Sequence, residues 1–243
     1  MDGFAAVFKR ELKSYFATPV AYVFLVIFLF FAGYLPFRQG FFDIRQADMR
    51  LFFMNIPLLF VFMVPCTAMR LWAEERKSGS IELLLTLPIT ITGAVVGKFV
   101  AAWVFLLIAL LLTIAMPITV SYLGNPDVGL IITGYLGSVL LAGSFLAIGC
   151  FFSAMTKNQV ISFILSVAAL AVLVYAGMPT TLSYLGSFLP AGLVGAIENM
   201  SILGHFESMQ KGVIDLRDIA YFGVLIVGFI AACIVMLTER KAS

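Results

Sequence analysis

Residues 73–88, AEERKSGSIELLLTLP, form a polar island between two long apolar runs, and their reading decides the rest of the chain. Glu74, Glu75, Arg76, Lys77 and Glu82 place five charges in 16 positions, whereas 51–69 and 89–97 carry none. An Arg or Lys held at the centre of a membrane helix costs about 2.5–3.5 kcal/mol on insertion scales. The island therefore belongs in water, and the runs beside it read as membrane segments. Its residues also spell a short surface helix. Gly79 permits a backbone reversal. Ser80 can cap a new helix, and Glu82 in its first turn meets the positive end of the dipole. Ile81, Leu84 and Leu85 make an apolar stripe, and Pro88 turns the chain back toward the membrane. That stripe either docks a partner or packs on the chain's own bundle.

Composition agrees with the membrane reading. Of 243 residues, 62% are hydrophobic and 12% charged, with a mean hydropathy of +1.09. A soluble domain carries about 25% charge, so this chain has too little polar surface to face water all round. The predicted fold class is all-α integral membrane. A spanning helix needs roughly 20 apolar residues, and six stretches qualify: 18–36, 51–71, 94–123, 130–155, 159–178 and 219–237.

Charge asymmetry orients them. With the N-terminus in the cytoplasm, ten Lys and Arg fall inside (9, 10, 13, 70, 76, 77, 98, 157, 240 and 241) and five outside (38, 45, 50, 211 and 217). The positive-inside rule then places both termini in the cytoplasm, and six spans agree. Leu182–Ile197 is the rival seventh span, which would put Glu239, Arg240 and Lys241 outside. It is short and interrupted by Pro190 and Gly192, so a re-entrant or extracytoplasmic excursion within 179–218 suits it better. At the start, Phe4, Phe8, Leu12 and Phe16 recur every four residues with Lys9, Arg10 and Lys13 on other faces. Residues 2–17 thus read as an amphipathic helix in the membrane interface. A cleaved signal peptide is the competing reading, against which stand the segment's amphipathic length and the lack of a small-residue cleavage site. Thr18 and Pro19 then restart the chain as N-cap and first helical residue.

The net charge of +2 is sorted by side rather than pooled, so no nucleic-acid partner is expected. Cys66, Cys150 and Cys233 lie in apolar runs and read as packing residues. There is no G-x-x-x-x-G-K-[ST] phosphate loop and no H-E-x-x-H; His205 is the only histidine and sits in a loop, where solvation or a local hydrogen bond is the ordinary expectation. No ionisable residue lies mid-span, which disfavours an autonomous ion-driven carrier. The chain looks built for a membrane pathway and carries no energy source of its own.

Glu75-x-x-x-Gly79-Ser80-x-Glu82-x-Leu84-Leu85-x-x-Pro88 resembles the first cytoplasmic loop of the ABC-2-type transport permeases. The resemblance extends over the whole chain: interfacial helix, six spans, and an excursion between spans five and six. It implies that 73–88 is a coupling helix contacting a separate cytoplasmic ABC ATPase through Glu75, Gly79, Ser80, Glu82, Leu84, Leu85 and Pro88. It further implies that ATP and Mg bind on that partner rather than here, and that a second permease copy or paralogue completes the assembly. Thr156-Lys157-Asn158-Gln159 and 212–218 resemble the gliding-motility-associated subgroup. A membrane protein bearing a large extracytoplasmic domain is a further candidate partner. The location implied is the bacterial cytoplasmic membrane.

The same resemblance puts a substrate path at the permease interface, lined mainly by spans two and five. Asn55 and Thr67 are the polar candidates in span two; Ser162, Ser166 and Tyr175 are those in span five. Asn55 carries most weight because a buried amide in lipid wants a partner. The serines have a bland alternative in bonds to the carbonyl four residues back, and Pro57 and Pro65 read as kinks. The leading function is the permease subunit of an ATP-driven exporter. The alternative is a membrane scaffold that uses the ATPase to act on a partner protein without moving a solute. A secondary carrier or membrane enzyme lacks intramembrane charges and a catalytic constellation.

Overall fold

The computed structural model describes residues 2–41, 48–79 and 90–242, which form helices and turns with no strand among them. In chain order the helices are α1 (Asp2–Ala17), α2 (Pro19–Arg38), α3 (Arg50–Ala68), α4 (Ala73–Ser78), α5 (Ile91–Leu112), α6 (Ala115–Leu123), α7 (Val128–Met155), α8 (Gln159–Ala176), α9 (Pro179–Gly186), α10 (Ala191–Asn199), α11 (Ile202–Gln210) and α12 (Leu216–Ala242). Among the described residues, six segments are long and apolar enough to cross a membrane: Pro19–Arg38, Arg50–Ser78, Ile91–Leu123, Val128–Met155, Gln159–Ala176 and Leu216–Glu239. They coincide with the six predicted runs to within a few residues, apart from span two, whose helical stretch runs on to Ser78.

The fourth span, α7, is the hub. It packs against α12, α3, α11, α8 and α5, and 72% of its apolar window is buried inside the protein against 11% for span six. Small residues explain this position. Between membrane helices burial from lipid gains little, so close van der Waals approach decides which faces meet. Gly134 lies under the ring of Phe53, with no room for a Cβ. A Cβ on Gly149 would come within 2.6 Å of Ala68 Cβ. Ser138, Ala142 and Ala147 line the same buried helix. Cys150 and Cys233 are buried with Sγ atoms 3.8 Å apart, packing span four on span six as free thiols.

Two spans are broken, each for a readable reason. The run 94–123 divides at Thr113 and Ile114 into α5 and α6, because Pro117 has no N–H to give the Thr113 carbonyl. Thr113 Oγ1 instead donates to Leu110 O at 2.6 Å and lies 2.8 Å from the Tyr135 hydroxyl. Span two passes through Pro57 and Pro65 without ending, then breaks at 69–72 before α4.

α1 packs along α5. The face it turns to the bundle is Val7, Glu11 and Tyr15, one position round from the predicted Phe4, Phe8, Leu12, Phe16 stripe. Phe4 and Phe16 remain exposed, beside the exposed Lys9 and Lys13. The Tyr15 hydroxyl donates to Thr67 O at 3.1 Å and its ring stacks on Phe105. Thr18 takes the N-cap position of α2, but its hydroxyl donates back to Tyr15 O at 3.2 Å rather than capping.

Between spans five and six the chain makes three short helices, α9 to α11. Residues 182–197 are largely helical, divided near Pro190, which takes the N-cap position of α10. α11 lies on α7, with Phe206 and Met209 over Gly137.

Candidate functional site

The candidate site begins where span two leaves the bundle. α4 ends on Gly79, whose φ of 73° is a left-handed cap that a glycine adopts without strain. Ser80, Glu82, Leu84, Leu85 and Pro88, the remaining predicted coupling residues, lie outside the described residues. Glu75 is described, and its carboxylate points inward to a buried lysine of span three.

That lysine, Lys98, is 1% exposed. Its Nζ lies 3.0 Å from Glu75 Oε1, 3.0 Å from Glu11 Oε1 and 2.9 Å from Leu71 O. Arg10 Nη2 closes the ring from the wet side, at 2.7 Å from Glu11 Oε1 and 2.9 Å from Glu75 Oε1. Two cations face two carboxylates, so the cluster is electrically balanced. The Lys98 ammonium also sits 5.1 Å from the centroid of the buried Trp72 ring, a cation–π distance. Burial pushes the Glu11 carboxyl up, but Lys98 and Arg10 more than offset it, and the group titrates below the usual carboxylate range. Arg10 is held above its ordinary value mainly by its bond to Glu11.

A second tie binds the same segment to span four. Ser153 Oγ accepts from the backbone N–H of Trp72 at 3.0 Å and of Ala73 at 3.1 Å, and it donates to Met69 O at 3.1 Å. Those groups are freed by the break after α3, so one buried hydroxyl satisfies the turn. Arg76 Nη1 donates to Ala154 O beside it. The first turn of the polar island is thus fastened to α1, span three and span four at once.

The predicted pathway residues are not gathered in one place. Asn55 is buried and forms a reciprocal amide pair with Gln39, at 3.0 and 2.9 Å, while its Nδ2 also donates to Leu51 O. Its partner is therefore the end of span one. Thr67 Oγ1 donates to Met63 O at 3.1 Å. Ser162 and Ser166 are fully buried, and neither hydroxyl has a hydrogen-bond partner among the described residues, so the expected bonds to the fourth carbonyl back do not form. Tyr175 is half exposed. A cavity of about 440 Å³ opens between spans one, two and five instead. Phe24, Phe28, Phe31, Phe62, Met63, Cys66 and Phe163 are among its walls, and none of the five candidates lines it.

Glu11, Arg10, Lys98 and Ser153 were not singled out as site residues by the sequence reading. One signal was available: Lys98 stands alone in the charge-free run 91–112, and a lone buried lysine demands carboxylates. Glu11, an acid set among Lys9, Arg10 and Lys13, is the matching clue. Ser153 offers no signal among the other serines of its helix.

Fold and site together define a multi-pass membrane protein with a polar segment braced against its bundle. The chain belongs to the ABC-2 family of transporter proteins, whose family model matches residues 5–241. It is accordingly the membrane permease component of an ABC transporter, a family whose members work with an ATPase subunit. No curated protein is a significant match.

Proposed function

We propose that this chain is the permease of an ATP-driven exporter, in which a separate cytoplasmic ATPase binds ATP and Mg and delivers force at 73–88. The observation that carries this reading is the bracing of Glu75, Arg76, Trp72 and Ala73 onto α1, span three and span four. A loop with no input to transmit has no need of a buried lysine, whose desolvation is costly. The apolar cavity between spans one, two and five favours an apolar or amphipathic cargo, entering beside a second permease copy or paralogue. Both termini lie in the cytoplasm on this reading, in a bacterial inner membrane. The resemblance of 156–159 and 212–218 to the gliding-motility-associated permeases supports membership of that subgroup.

The exposed Tyr184, Phe188, Leu193 and Met200 on and beside α9 and α10 favour a second reading, in which the ATPase acts through this chain on a partner with a large extracytoplasmic domain. Reconstitution separates the two. An exporter in proteoliposomes with its ATPase hydrolyses ATP faster when apolar cargo is added, and Phe62→Glu in the cavity wall abolishes that response. Hydrolysis indifferent to cargo across lipid, drug and glycan panels would overturn the exporter reading in favour of the partner protein.

A further inference from the structure

At the end of the bundle opposite α4, His205 of α11 is held by hydrogen bonds at both ring nitrogens. Its Nδ1 lies 2.6 Å from Asp218 Oδ1 on α12, and its Nε2 lies 3.1 Å from the backbone carbonyl of Asn199. Tyr221 stacks on the ring with centroids 4.1 Å apart, and its hydroxyl donates to Met200 O at 2.6 Å. Asp218 is 5% exposed, and its second oxygen, Oδ2, is buried without a hydrogen-bond partner among the described residues.

The hydrogens do not balance for a neutral ring. A carboxylate oxygen and a peptide carbonyl are both acceptors only, and a neutral imidazole has one N–H to offer them. Two hydrogen bonds to two acceptors need two ring protons. We propose that His205 and Asp218 form a proton-binding site, an imidazolium–carboxylate pair that pins α11 to span six while the proton is bound. Losing the proton leaves a nitrogen lone pair facing Asp218 or Asn199, which removes one of the two ties and turns acceptor against acceptor.

Few other charges bear on the ring. Asp215, just ahead of α12, and Arg217 in its first turn are both exposed. On α11 itself Glu207 pairs with Lys211 at 2.9 Å. α3 brings Arg50, which is engaged with Asp48. α7 brings Tyr135, bound to Thr113, and α8 brings Tyr175. Of the titratable side chains among the described residues, Asp218 and Tyr221 alone bond to or stack on the ring. The site would sense protons on the side of the membrane away from the ATPase input, a role independent of which cargo moves.

His205 is the only histidine in the chain, so isotope labelling of histidine reads this site without ambiguity. In histidine-labelled protein in lipid nanodiscs at about pH 8, an exposed imidazole is mostly neutral, its ordinary pKa being about 6.5. The proposal expects nitrogen resonances of a doubly protonated ring there, and a neutral ring in Asp218→Asn. A neutral ring in the unaltered protein at that pH overturns it. In the same protein, amide exchange across 202–210, corrected for intrinsic rates, should rise at least about tenfold when the ring resonance turns neutral at higher pH. Exchange that does not follow the ring overturns the pinning role.

Discussion

Lys98→Met tests the bracing cluster most sharply, because methionine keeps the length of the stem and removes only the charge. The ammonium lost is 1% exposed and makes three contacts within 3.0 Å. Removing one partner of a buried ion pair costs about 3–5 kcal/mol, because the charge left behind is uncompensated. Here Glu11 and Glu75 keep Arg10, so a loss near about 3 kcal/mol is expected, roughly a hundredfold in the population of the braced state. Glu75→Gln introduced on top of Lys98→Met removes the surplus negative charge, so the two changes should be less than additive by about 1.5 kcal/mol. The assay is reversible unfolding of the purified protein in mild detergent, with ATP turnover of the permease–ATPase complex measured alongside. A Lys98→Met loss under about 0.5 kcal/mol, or strict additivity with Glu75→Gln, would refute the idea that these groups act as one buried unit.

Three further outcomes follow from the same contacts. Glu11 is held below the ordinary carboxyl value of 4.5, so its stabilisation is complete above that value and is lost as pH falls through the depressed one. Unfolding temperature should therefore drop with pH below about 4 more steeply in the unaltered protein than in Glu11→Gln; parallel curves would contradict the assignment. Ser153→Ala strands two buried backbone N–H groups and should cost about 2 kcal/mol, seen as faster proteolysis within 69–79; unchanged cleavage would count against the tie. Gly149→Ala should destabilise by about 1–3 kcal/mol through contact with Ala68, and Ala68→Gly should restore much of it. A neutral Gly149→Ala with no such rescue would mean that spans two and four do not meet there.

How much of this was legible in the sequence follows from which forces act locally. The six spans could be read because a membrane helix must satisfy its own backbone and carry an apolar surface, so each writes its own run. The break at 113–114 was missed because Pro117 acts on a carbonyl four residues earlier while the run stays apolar throughout. α1 was read as amphipathic, but which of its residues meet the bundle was not legible. Its phenylalanines suit lipid as well as protein, whereas Glu11 is turned inward by a lysine 87 positions away. Glu75 was picked out by its motif, yet its partners Arg10 and Lys98 belong to two other elements. Asn55 was expected to want a partner, and Gln39 supplies it from the end of span one. The Ser162 and Ser166 hydroxyls could not be placed from sequence, since their surroundings are set by how α8 meets α3 and α7.

The central claim is that energy enters through 73–88. The most direct measurement places a photo-crosslinking residue at Leu84 in the intact permease–ATPase complex and compares ATP turnover in Glu82→Arg. The account predicts a crosslink to the ATPase and loss of coupled turnover in the variant. A stripe that crosslinks only within its own bundle, with turnover unchanged in Glu82→Arg, would contradict it.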